Sequence, residues 1–389
     1  MHRLRDSLLS PSPKGFPDIG ELDSISYDRL NVRQSLARGE IQEMRGTARF
    51  NRTWFVTSRY CQVGDGVDSL ELYVRHIWYM YYQLSLYTSH ETPKHDRLVL
   101  DILRIQGKGP LTRPVKGVYG IDIARMTEGT LWNDLPLLVS DMTDFWINDC
   151  GAMSGIHRLN FSSFLAKLAS TRVCKDRMCQ VALVLFRRTF EERQVLRSSG
   201  DPSDPGDEDP HRSMDSLEIR HLLPSDTAWL KEADCNLLQL SEVSWNDCPS
   251  TIGQGGRCFI ESEFGKRSPT RFTPWRWLFW LKRLREIQEA AKEANEKTLE
   301  ESATDAIQAM VRVAEEQNSD ILRVYQTAGD LIYEDEHFLP LQKIVEGKDP
   351  WREETEDGEE TEDHEQGEDG EESKKPEESK KEKENENDN

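Results

Sequence analysis

A cluster of basic and aromatic residues between Lys266 and Arg285 has the composition best suited to binding chemistry. Seven positive charges lie in this stretch with no acidic residue among them, and aromatic residues lie between them. Aromatic rings interleaved with arginine can stack on bases while the cations neutralise phosphates, and a basic amphipathic helix can bind a membrane or a partner's groove. The candidate partner-binding residues are Trp275, Arg276, Phe279, Lys282 and Arg283.

The same stretch can also be interpreted as a helix of the hydrophobic core. Thr273 suits the N-cap position and Pro274 the first helical position, so a helix is predicted to start here. Six apolar residues then share one face at helical spacing: Trp277, Trp280, Leu281, Leu284, Ile287 and Ala291. Because an apolar stripe most often faces a core, and long basic side chains can cover its rim, we favour the structural interpretation. No nucleic-acid ligand is expected.

A glycine-rich run, Gly253-Gln254-Gly255-Gly256, suggests a phosphate-binding loop. Such loops follow a strand and continue into Lys and Ser or Thr at a helix start, and this run has neither feature. We therefore interpret the run as an ordinary loop, since glycine readily marks turns.

Motifs for nucleophilic catalysis and metal binding are absent from the sequence. It contains no Gly-x-Ser-x-Gly elbow, no known cysteine-protease signature, and no HExxH or HxH pair. His90 and His95 lie close together but flank Pro93, where a solvated loop pair is expected rather than a metal site. The seven cysteines form no CxxC pair, which is typical of reduced thiols in an intracellular protein. No cofactor and no metal are predicted.

Paired carboxylates occur at Asp141 and Asp144 and at Glu191 and Glu192. Because buried carboxylates are rare, we expect these pairs on solvated helix faces or in surface ion pairs. An arginine lies four residues before each of the two glutamates, a spacing that suits helical ion pairs of about 0.3 to 0.5 kcal/mol. General acid–base chemistry is therefore not predicted at these positions.

Helical periodicity dominates the elements that carry these residues. Apolar residues recur every three or four positions in ten stretches: 67–87, 95–105, 130–148, 160–170, 176–196, 217–223, 226–243, 270–294, 297–315 and 319–333. Pro224 is expected to interrupt a helix, and residues 245–269 are expected to be irregular. Strand-like alternation is rare and no repeat period is found. The pattern predicts an all-α fold, a single large irregular domain of about ten coiled-coil-like helices.

The formal net charge of −21 is concentrated near the C-terminus. From Arg352 onward there are 19 acidic and 6 basic residues, a net of −13, so the preceding residues carry only −8. No apolar stretch approaches the length of a membrane span, and a cytoplasmic or nuclear protein is expected. We expect the following organisation: a flexible N-terminus at 1–20, a helical domain at 21–345 that is best supported at 60–335, a disordered surface loop at 198–212, and a disordered acidic tail at 346–389.

Three stretches of the chain are distinctive: LWNDLPLLVSDMTDFW at 131–146, LNFSSFLAKLAS at 159–170 followed by CQVALVLFRRTFEE at 179–192, and FTPWRWLFWLKRLREI at 272–287. Together they resemble a family of uncharacterised proteins from filamentous ascomycete fungi, classed as a domain of unknown function. The likeness extends over about residues 60–335 in the right order. It implies an all-helical fold and a fungal, non-secreted protein, and it implies no activity and no site residues.

Abundant helices without convergent catalytic groups favour a non-catalytic helical interaction module that binds a protein partner. The alternative is an enzyme whose polar residues converge only in three dimensions. A pocket joining several buried titratable groups would favour the enzyme, whereas an apolar groove near Trp275 and Phe279 would favour the module. Neither the identity of the partner nor the oligomeric state follows from the sequence.

Overall fold

The helical periodicity of the chain produces an all-α architecture in the computed structural model, which describes residues 19–115, 120–196 and 208–352. Most of the expected flexible N-terminus, most of the loop at 198–212 and nearly all of the acidic tail lie outside the described residues. By its internal contacts the chain divides into a compact unit, Met1–Pro350, and the segment Trp351–Asn389.

The α-helices are numbered in chain order. Their bounds are α1 Ile19–Ala37, α2 Ile41–Gly46, α3 Thr53–Ser58, α4 Val67–Tyr87, α5 Pro93–Gln106, α6 Leu138–Asp149, α7 Gly155–Ser170, α8 Gln180–Phe186, α9 Ile219–Glu232, α10 Asp234–Glu242, α11 Ser250–Gly253, α12 Arg257–Glu261, α13 Glu263–Arg267, α14 Pro274–Glu293, α15 Lys297–Glu316, α16 Asp320–Gln326, α17 Asp330–Tyr333 and α18 Leu339–Val345. The all-α class is confirmed. The estimate of about ten helices was too low, because stretches expected to be irregular contain short helices.

Shorter elements connect these helices. The π-helical turns are Thr47–Arg52, Arg59–Val63 and Arg187–Glu191, and the 3-10 turns are Arg177–Cys179, Met214–Ser216 and Glu336–Phe338. The strands are β1 Thr112–Pro114, β2 Ile121–Ile123, β3 Arg125–Met126 and β4 Gly129–Thr130. β1 pairs with β2 and β3 with β4, both antiparallel, with Arg113 opposite Asp122 and Met126 opposite Gly129. Two small ribbons therefore lead from α5 towards α6.

The centre of the fold is built from long helices that are apolar on more than one face. α4 packs against α1, α6 and α7, while α9 packs against α7 and α15, and α15 packs against α14. In α4 the predicted stripe is fully buried at Leu70, Val74, Ile77, Tyr81 and Leu84. A helix enclosed on several sides in this way belongs to the core of a larger α domain. None of the described helices is both long and apolar enough to cross a membrane.

Helix α14 begins where its sequence predicts. The Thr273 hydroxyl accepts a hydrogen bond from the backbone N–H of Arg276 at 3.1 Å, and Pro274 occupies the first helical position. This is the geometry of a side-chain N-cap, which satisfies one of the free amides of the first turn. The six predicted face residues are all buried, and Leu278 is buried beside them. The prediction that neighbours wrap this helix is confirmed.

Pro224 does not interrupt its helix, contrary to prediction. It lies inside α9, which continues to Glu232. An internal proline costs about 3 kcal/mol, whereas burial of each large apolar side chain contributes about 1.5 to 3 kcal/mol. Leu222, Leu223 and Trp229 are all buried in this helix. Packing of the helix therefore outweighs the local preference of proline.

Two other stretches differ from the predicted helices. Thr130 ends β4, residues 131–137 lead to α6 without forming a helix, and Leu137 adopts a left-handed conformation with φ 68°. The predicted helix at 319–333 is split into α16 and α17 at Gly329, whose φ is 90°. A residue at such a φ cannot continue a right-handed helix. Leu331, counted in the predicted apolar stripe, is consequently 88% exposed.

Candidate functional site

A cleft of about 500 Å³ runs beside α14 and contains three of the five candidate residues. Phe279, Lys282 and Arg283 line it from α14, and its other walls come from the α12–α13 and α17 regions. We call this cleft the α14 groove. Trp275 and Arg276 do not line it, so the structure brings together only the C-terminal part of the predicted set.

The floor of the α14 groove is aromatic. The ring of Phe279 meets Phe259 edge-on, with centroids 5.2 Å apart, and meets Phe264 at 6.1 Å. Edge-to-face pairs at these separations stabilise the packing by about 0.5 to 1.5 kcal/mol beyond the buried area. Leu331 also lines the groove and stands at the surface. The groove therefore joins a rigid aromatic floor to an exposed aliphatic side chain.

Four charged side chains of the α14 groove form ion pairs with one another. Lys282 Nζ lies 2.6 Å from Asp335 Oδ2, and Arg283 forms an ion pair with Glu286 while its Nε donates to the Phe190 carbonyl. Burial acts to raise the pKa of Asp335, but hydrogen bonds from Lys282 and His337 outweigh burial and hold that pKa below its ordinary value. Asp335 is thus an ionised acceptor with satisfied partners, unlike the general acid or base of an active site.

Trp275 lies away from the groove and is partly buried. The guanidinium carbon of Arg267 sits 4.3 Å above its ring, a cation–π arrangement. Arg267 also donates to the carbonyl of Ala328 at 2.7 Å. Arg267 is therefore used in internal contacts, as are Lys282 and Arg283 above and Arg276 below.

Arg276 is completely buried and pairs with Glu191, which is equally buried. Its Nε donates to Oε1 of Glu191 at 2.6 Å and its Nη2 to Oε2 at 2.9 Å. The remaining donors reach the carbonyls of Gly253, Gln254 and Arg271. All five N–H groups of the guanidinium are satisfied in this way. Arg276 was predicted to contact a partner, but its side chain is not accessible.

Glu191 accepts two further hydrogen bonds. Trp280 Nε1 donates to Oε1 at 2.6 Å, and the backbone N–H of Gly256 donates to Oε2 at 2.7 Å. Glu191 closes the π-helical turn after α8, so one carboxylate joins that turn, α14 and the glycine-rich run. We call Glu191, Arg276 and the run 253–256 the carboxylate clasp.

The glycine-rich run is more than an ordinary loop. A side chain at Gly256 would bring its Cβ to 2.7 Å from both the Cβ and the carbonyl oxygen of Glu191. At Gly255 the Cβ would lie 2.6 Å from the Phe259 ring and 2.8 Å from the Pro269 carbonyl. Glycine is required here because neighbouring backbone and side chains approach too closely for any larger residue. The run does not hold phosphate, since its carbonyls and one amide face the buried ion pair.

The predicted solvated carboxylates include two that are buried. Glu191 is 0% exposed and Asp141 is 5% exposed, so both expectations are wrong. Asp141 forms an ion pair with Arg75, yet burial raises its pKa to about 7. The predicted ion pairs within 187–192 are also absent from the described structure: Arg187 donates to the Thr251 carbonyl instead. A long-range partner outcompetes the helical neighbour.

His90 and His95 do not form a solvated pair. His95 is fully buried in α5, and its Nε2 lies 3.0 Å from the carbonyl oxygen of Asn160. The Asn160 side chain accepts from the His90 backbone and donates to the Leu86 carbonyl. Burial lowers the pKa of His95 to about 4, so the ring is neutral. Within the described ranges no group of three or more His, Cys, Asp and Glu side chains could hold a metal.

Two other clefts are described, and neither contains the buried acids. One, of about 860 Å³, lies between α3 and the π turn before it, and one of about 260 Å³ lies between the turn at 133–136 and residues 172–177. Cys174 lines the smaller cleft, where burial raises the pKa of its thiol to about 12. A thiol with that pKa is a poor nucleophile at neutral pH.

Sequence reasoning missed the carboxylate clasp and the groove wall at 331–335. Arg276 was singled out for its charge, but the sequence carries no signal that pairs it with an acid 85 positions away. The glycine run was one available signal, because consecutive glycines mark close approach of backbone as well as turns.

Comparison with known proteins gives one family and one close relative. A sequence model described as "Protein of unknown function (DUF3632)" matches residues 78–284, a range that includes both partners of the carboxylate clasp. Over 357 residues the chain is 55% identical to oxopyrrolidines biosynthesis cluster protein G of Penicillium oxalicum (strain 114-2 / CGMCC 5302), and the alignment covers 92% of this chain and 99% of that protein. No solved structure matches the chain. The resemblance to a fungal family of unknown function is thereby confirmed, and the chain belongs to the DUF3632 family.

Proposed function

We propose that this chain is a non-catalytic helical interaction protein that serves a fungal oxopyrrolidine-type biosynthetic pathway and binds a protein partner through the α14 groove. The pathway assignment rests on the name of the Penicillium relative, which is 55% identical over almost its whole length. The binding role rests on the groove itself.

The observation that carries the binding role is the division between buried and accessible polar groups. The side chains that could do acid–base chemistry, Glu191, Asp141 and Asp226, are in the core and do not line any of the three clefts. Four accessible charges of the α14 groove are paired with one another, Lys282 with Asp335 and Arg283 with Glu286. Such a surface offers an apolar floor with a satisfied polar rim, which is the anatomy of a protein interface.

The shape of the α14 groove indicates what it binds. Phe279 supplies a preorganised aromatic floor, and Leu331 stands 88% exposed at the edge of the same groove. An amphipathic helix could place one apolar residue over Phe279 and a second beside Leu331. Lys282, Arg283 and Asp335 would then rim the contact and set its orientation.

The test is complementation of a Penicillium oxalicum strain that lacks protein G. Oxopyrrolidine output is measured by mass spectrometry after expression of this chain, its Leu331→Glu variant, or its Val243→Glu variant. Val243 is 70% exposed and lies outside the groove, so it is a matched control for an added surface charge. The wild-type chain and Val243→Glu are expected to restore output, and Leu331→Glu is expected to restore less than a tenth of it while remaining folded.

Three results would contradict the proposal. Full restoration by Leu331→Glu would remove the α14 groove from the function. No restoration by the wild-type chain would remove the pathway role. Accumulation of one precursor that the purified chain alone converts to the next compound would show that the protein is an enzyme.

A further inference from the structure

The cleft of about 860 Å³ is separate from the α14 groove and is lined by other residues. It is lined by residues 47, 50–55 and 57 together with Lys108, and we call it the N-terminal groove. Its volume lies within the roughly 300 to 1,000 Å³ typical of small-molecule sites. Phe50 and Trp54 line it with 58% and 65% of their surface exposed. The guanidinium carbon of Arg49 lies 4.4 Å from the Phe50 ring centroid, and much of both aromatic side chains stays accessible as an apolar wall.

A π-helical turn, Thr47–Arg52, forms one side of the N-terminal groove, and α3 follows it directly. Turns of this kind are rare and occur frequently at functional sites, since the inserted residue costs stability. Phe50 and Trp54 are four residues apart across this junction and line the same cleft. The backbone irregularity therefore coincides with the accessible aromatic wall.

Lys108 supplies a cation at this aromatic wall. Its Nζ donates to Thr53 Oγ1 at 3.0 Å and lies 5.7 Å from the Trp132 ring centroid. Arg52 forms an ion pair with Asp28, and Arg49 shares Asp101 with Arg45 and Arg104, whereas Lys108 has no carboxylate partner among the described residues.

The ammonium group of Lys108 has hydrogen-bond donors available for a ligand. Burial, together with the nearby Arg49 charge, lowers the pKa of Lys108. Lys108 is an exposed residue, and Thr53 occupies only one of its three N–H donors. A carboxylate in the groove would accept the other two as charge-assisted hydrogen bonds.

We propose that the N-terminal groove binds a small amphipathic carboxylic acid, whose carboxylate contacts Lys108 and whose apolar body lies against Phe50, Trp54 and Phe55. A single unpaired cation matches one carboxylate. A nucleic acid or a long acidic peptide would instead need a row of free cations, and the adjacent arginines are already engaged. Aromatic walls with one placed charge are the usual composition of small-molecule sites.

This inference does not depend on the proposed partner role of the α14 groove. The two clefts share no lining residue, and the aromatic wall precedes residue 78, where the family match begins. Failure of one proposal therefore leaves the other intact.

The experiment uses calorimetric titration of the full chain with two matched probes, 1-naphthaleneacetate and 1-naphthaleneacetamide. They share the naphthyl body and differ in the head group, a charged carboxylate in one and a neutral amide in the other, so the change in their affinity ratio on removal of Lys108 reports its contact with the carboxylate. The acid is expected to bind about tenfold tighter or more, as an ion-paired hydrogen bond would give. Lys108→Met is expected to remove this preference and leave the affinity for the amide within about twofold.

Two further variants separate the charge from the apolar wall. Lys94→Met removes an exposed lysine outside the groove and is expected to keep the wild-type preference for the acid. Trp54→Ala changes an exposed side chain, so the fold should be retained, and it is expected to weaken both probes by about tenfold. Circular dichroism confirms that each variant is folded.

Several outcomes would overturn the proposal. One is the absence of saturable binding of either probe. Another is an equal preference for the acid in the wild-type chain and in Lys108→Met. A third is a concentration-dependent dimer that Trp54→Ala abolishes while no probe binds, since that result would assign the N-terminal groove to a second copy of the chain.

Discussion

Glu191 and Arg276 form a bidentate ion pair across 85 residues of sequence, and both side chains are completely buried. Each charge also has its remaining hydrogen-bonding capacity satisfied, Glu191 by Trp280 and Gly256 and Arg276 by three carbonyls. A buried pair contributes little net stability when it is complete, but removal of one partner leaves an uncompensated charge. The pair therefore specifies where α14 and the glycine run lie.

Substitution of Glu191 is expected to destabilise the fold strongly. In Glu191→Gln the neutral amide would replace one acceptor oxygen with a donor that faces Arg276, and the expected cost is about 3 to 5 kcal/mol in the free energy of unfolding. Glu192→Gln is the matched control, since the adjacent glutamate is partly exposed, and it should change that free energy by less than about 0.5 kcal/mol. Urea denaturation measures both. Equal stability of the two variants would refute the structural role of the pair.

Gly256→Ala is expected to cost about 1 to 3 kcal/mol because the added methyl group would overlap the Glu191 backbone. The comparison is Gly46→Ala, where nothing lies within 4 Å of the added carbon and φ is −59°. That second substitution should be neutral or stabilise by up to about 1 kcal/mol, since alanine restricts the unfolded chain. Thermal denaturation of both variants makes the comparison, and a stable Gly256→Ala protein would argue against close approach at the clasp.

Acid is expected to destabilise the protein through His95. Burial, opposed in part by the contact with Asn160, lowers its pKa to about 4 from an ordinary 6.5. Between those values the unfolded chain binds a proton that the folded chain does not bind, so the free energy of unfolding decreases as the pH falls from 6.5 towards 4.

His95→Gln should reduce that pH dependence by up to about 1.4 kcal/mol per pH unit. The measurement is urea denaturation at several pH values between about 4.5 and 7.5. His211→Gln, at an exposed position, should keep the wild-type dependence. An unchanged slope in His95→Gln would place the acid sensitivity elsewhere.

Asp226 is expected to produce the opposite pH dependence. It is 0% exposed, Thr189 donates to its Oδ2 at 2.8 Å, and burial raises its pKa well above the ordinary value of 3.8. The folded chain thus keeps a proton that the unfolded chain releases as the pH rises above 3.8, and stability falls with rising pH over that range.

Asp226→Asn should remove this dependence and change the free energy of unfolding at neutral pH by no more than about 1 kcal/mol, because the amide is neutral and of the same shape. Asp144→Asn, on the exposed face of α6, is the matched control and should leave the pH profile unaltered. A large loss of stability in Asp226→Asn at neutral pH would mean that the carboxylate is ionised in the fold.

The spacing of apolar residues predicted those helices whose buried residues form one continuous stripe. α4 and α15 match the predicted bounds closely, and the start of α14 was predicted from Thr273 and Pro274. These predictions succeed because the local sequence contains both the cap and the apolar face. The two β ribbons between α5 and α6 escaped prediction because strands of two or three residues are too short to show alternation.

The site could be predicted only in part, for a different reason. Phe279, Lys282 and Arg283 follow from the spacing within one helix, whereas Leu331 and Asp335 reach the same groove from a segment about fifty residues later. The burial of Glu191 depends on Arg276 and Trp280 together, and the sequence around Glu191 contains no pattern that indicates either contact. The packing of the helices decides which distant segments come into contact, and this packing cannot be predicted from the pattern of a single sequence.

The 85-residue separation of Glu191 and Arg276 also bears on how the protein is made. A ribosome that has just translated the acid has still to add the whole of α9 to α13 and the start of α14 before the matching guanidinium exists. Until then the nascent chain holds a carboxylate that cannot enter the interior without heavy cost. The pair can therefore close only after the start of α14 has been made, while α15 to α18 are still to be added.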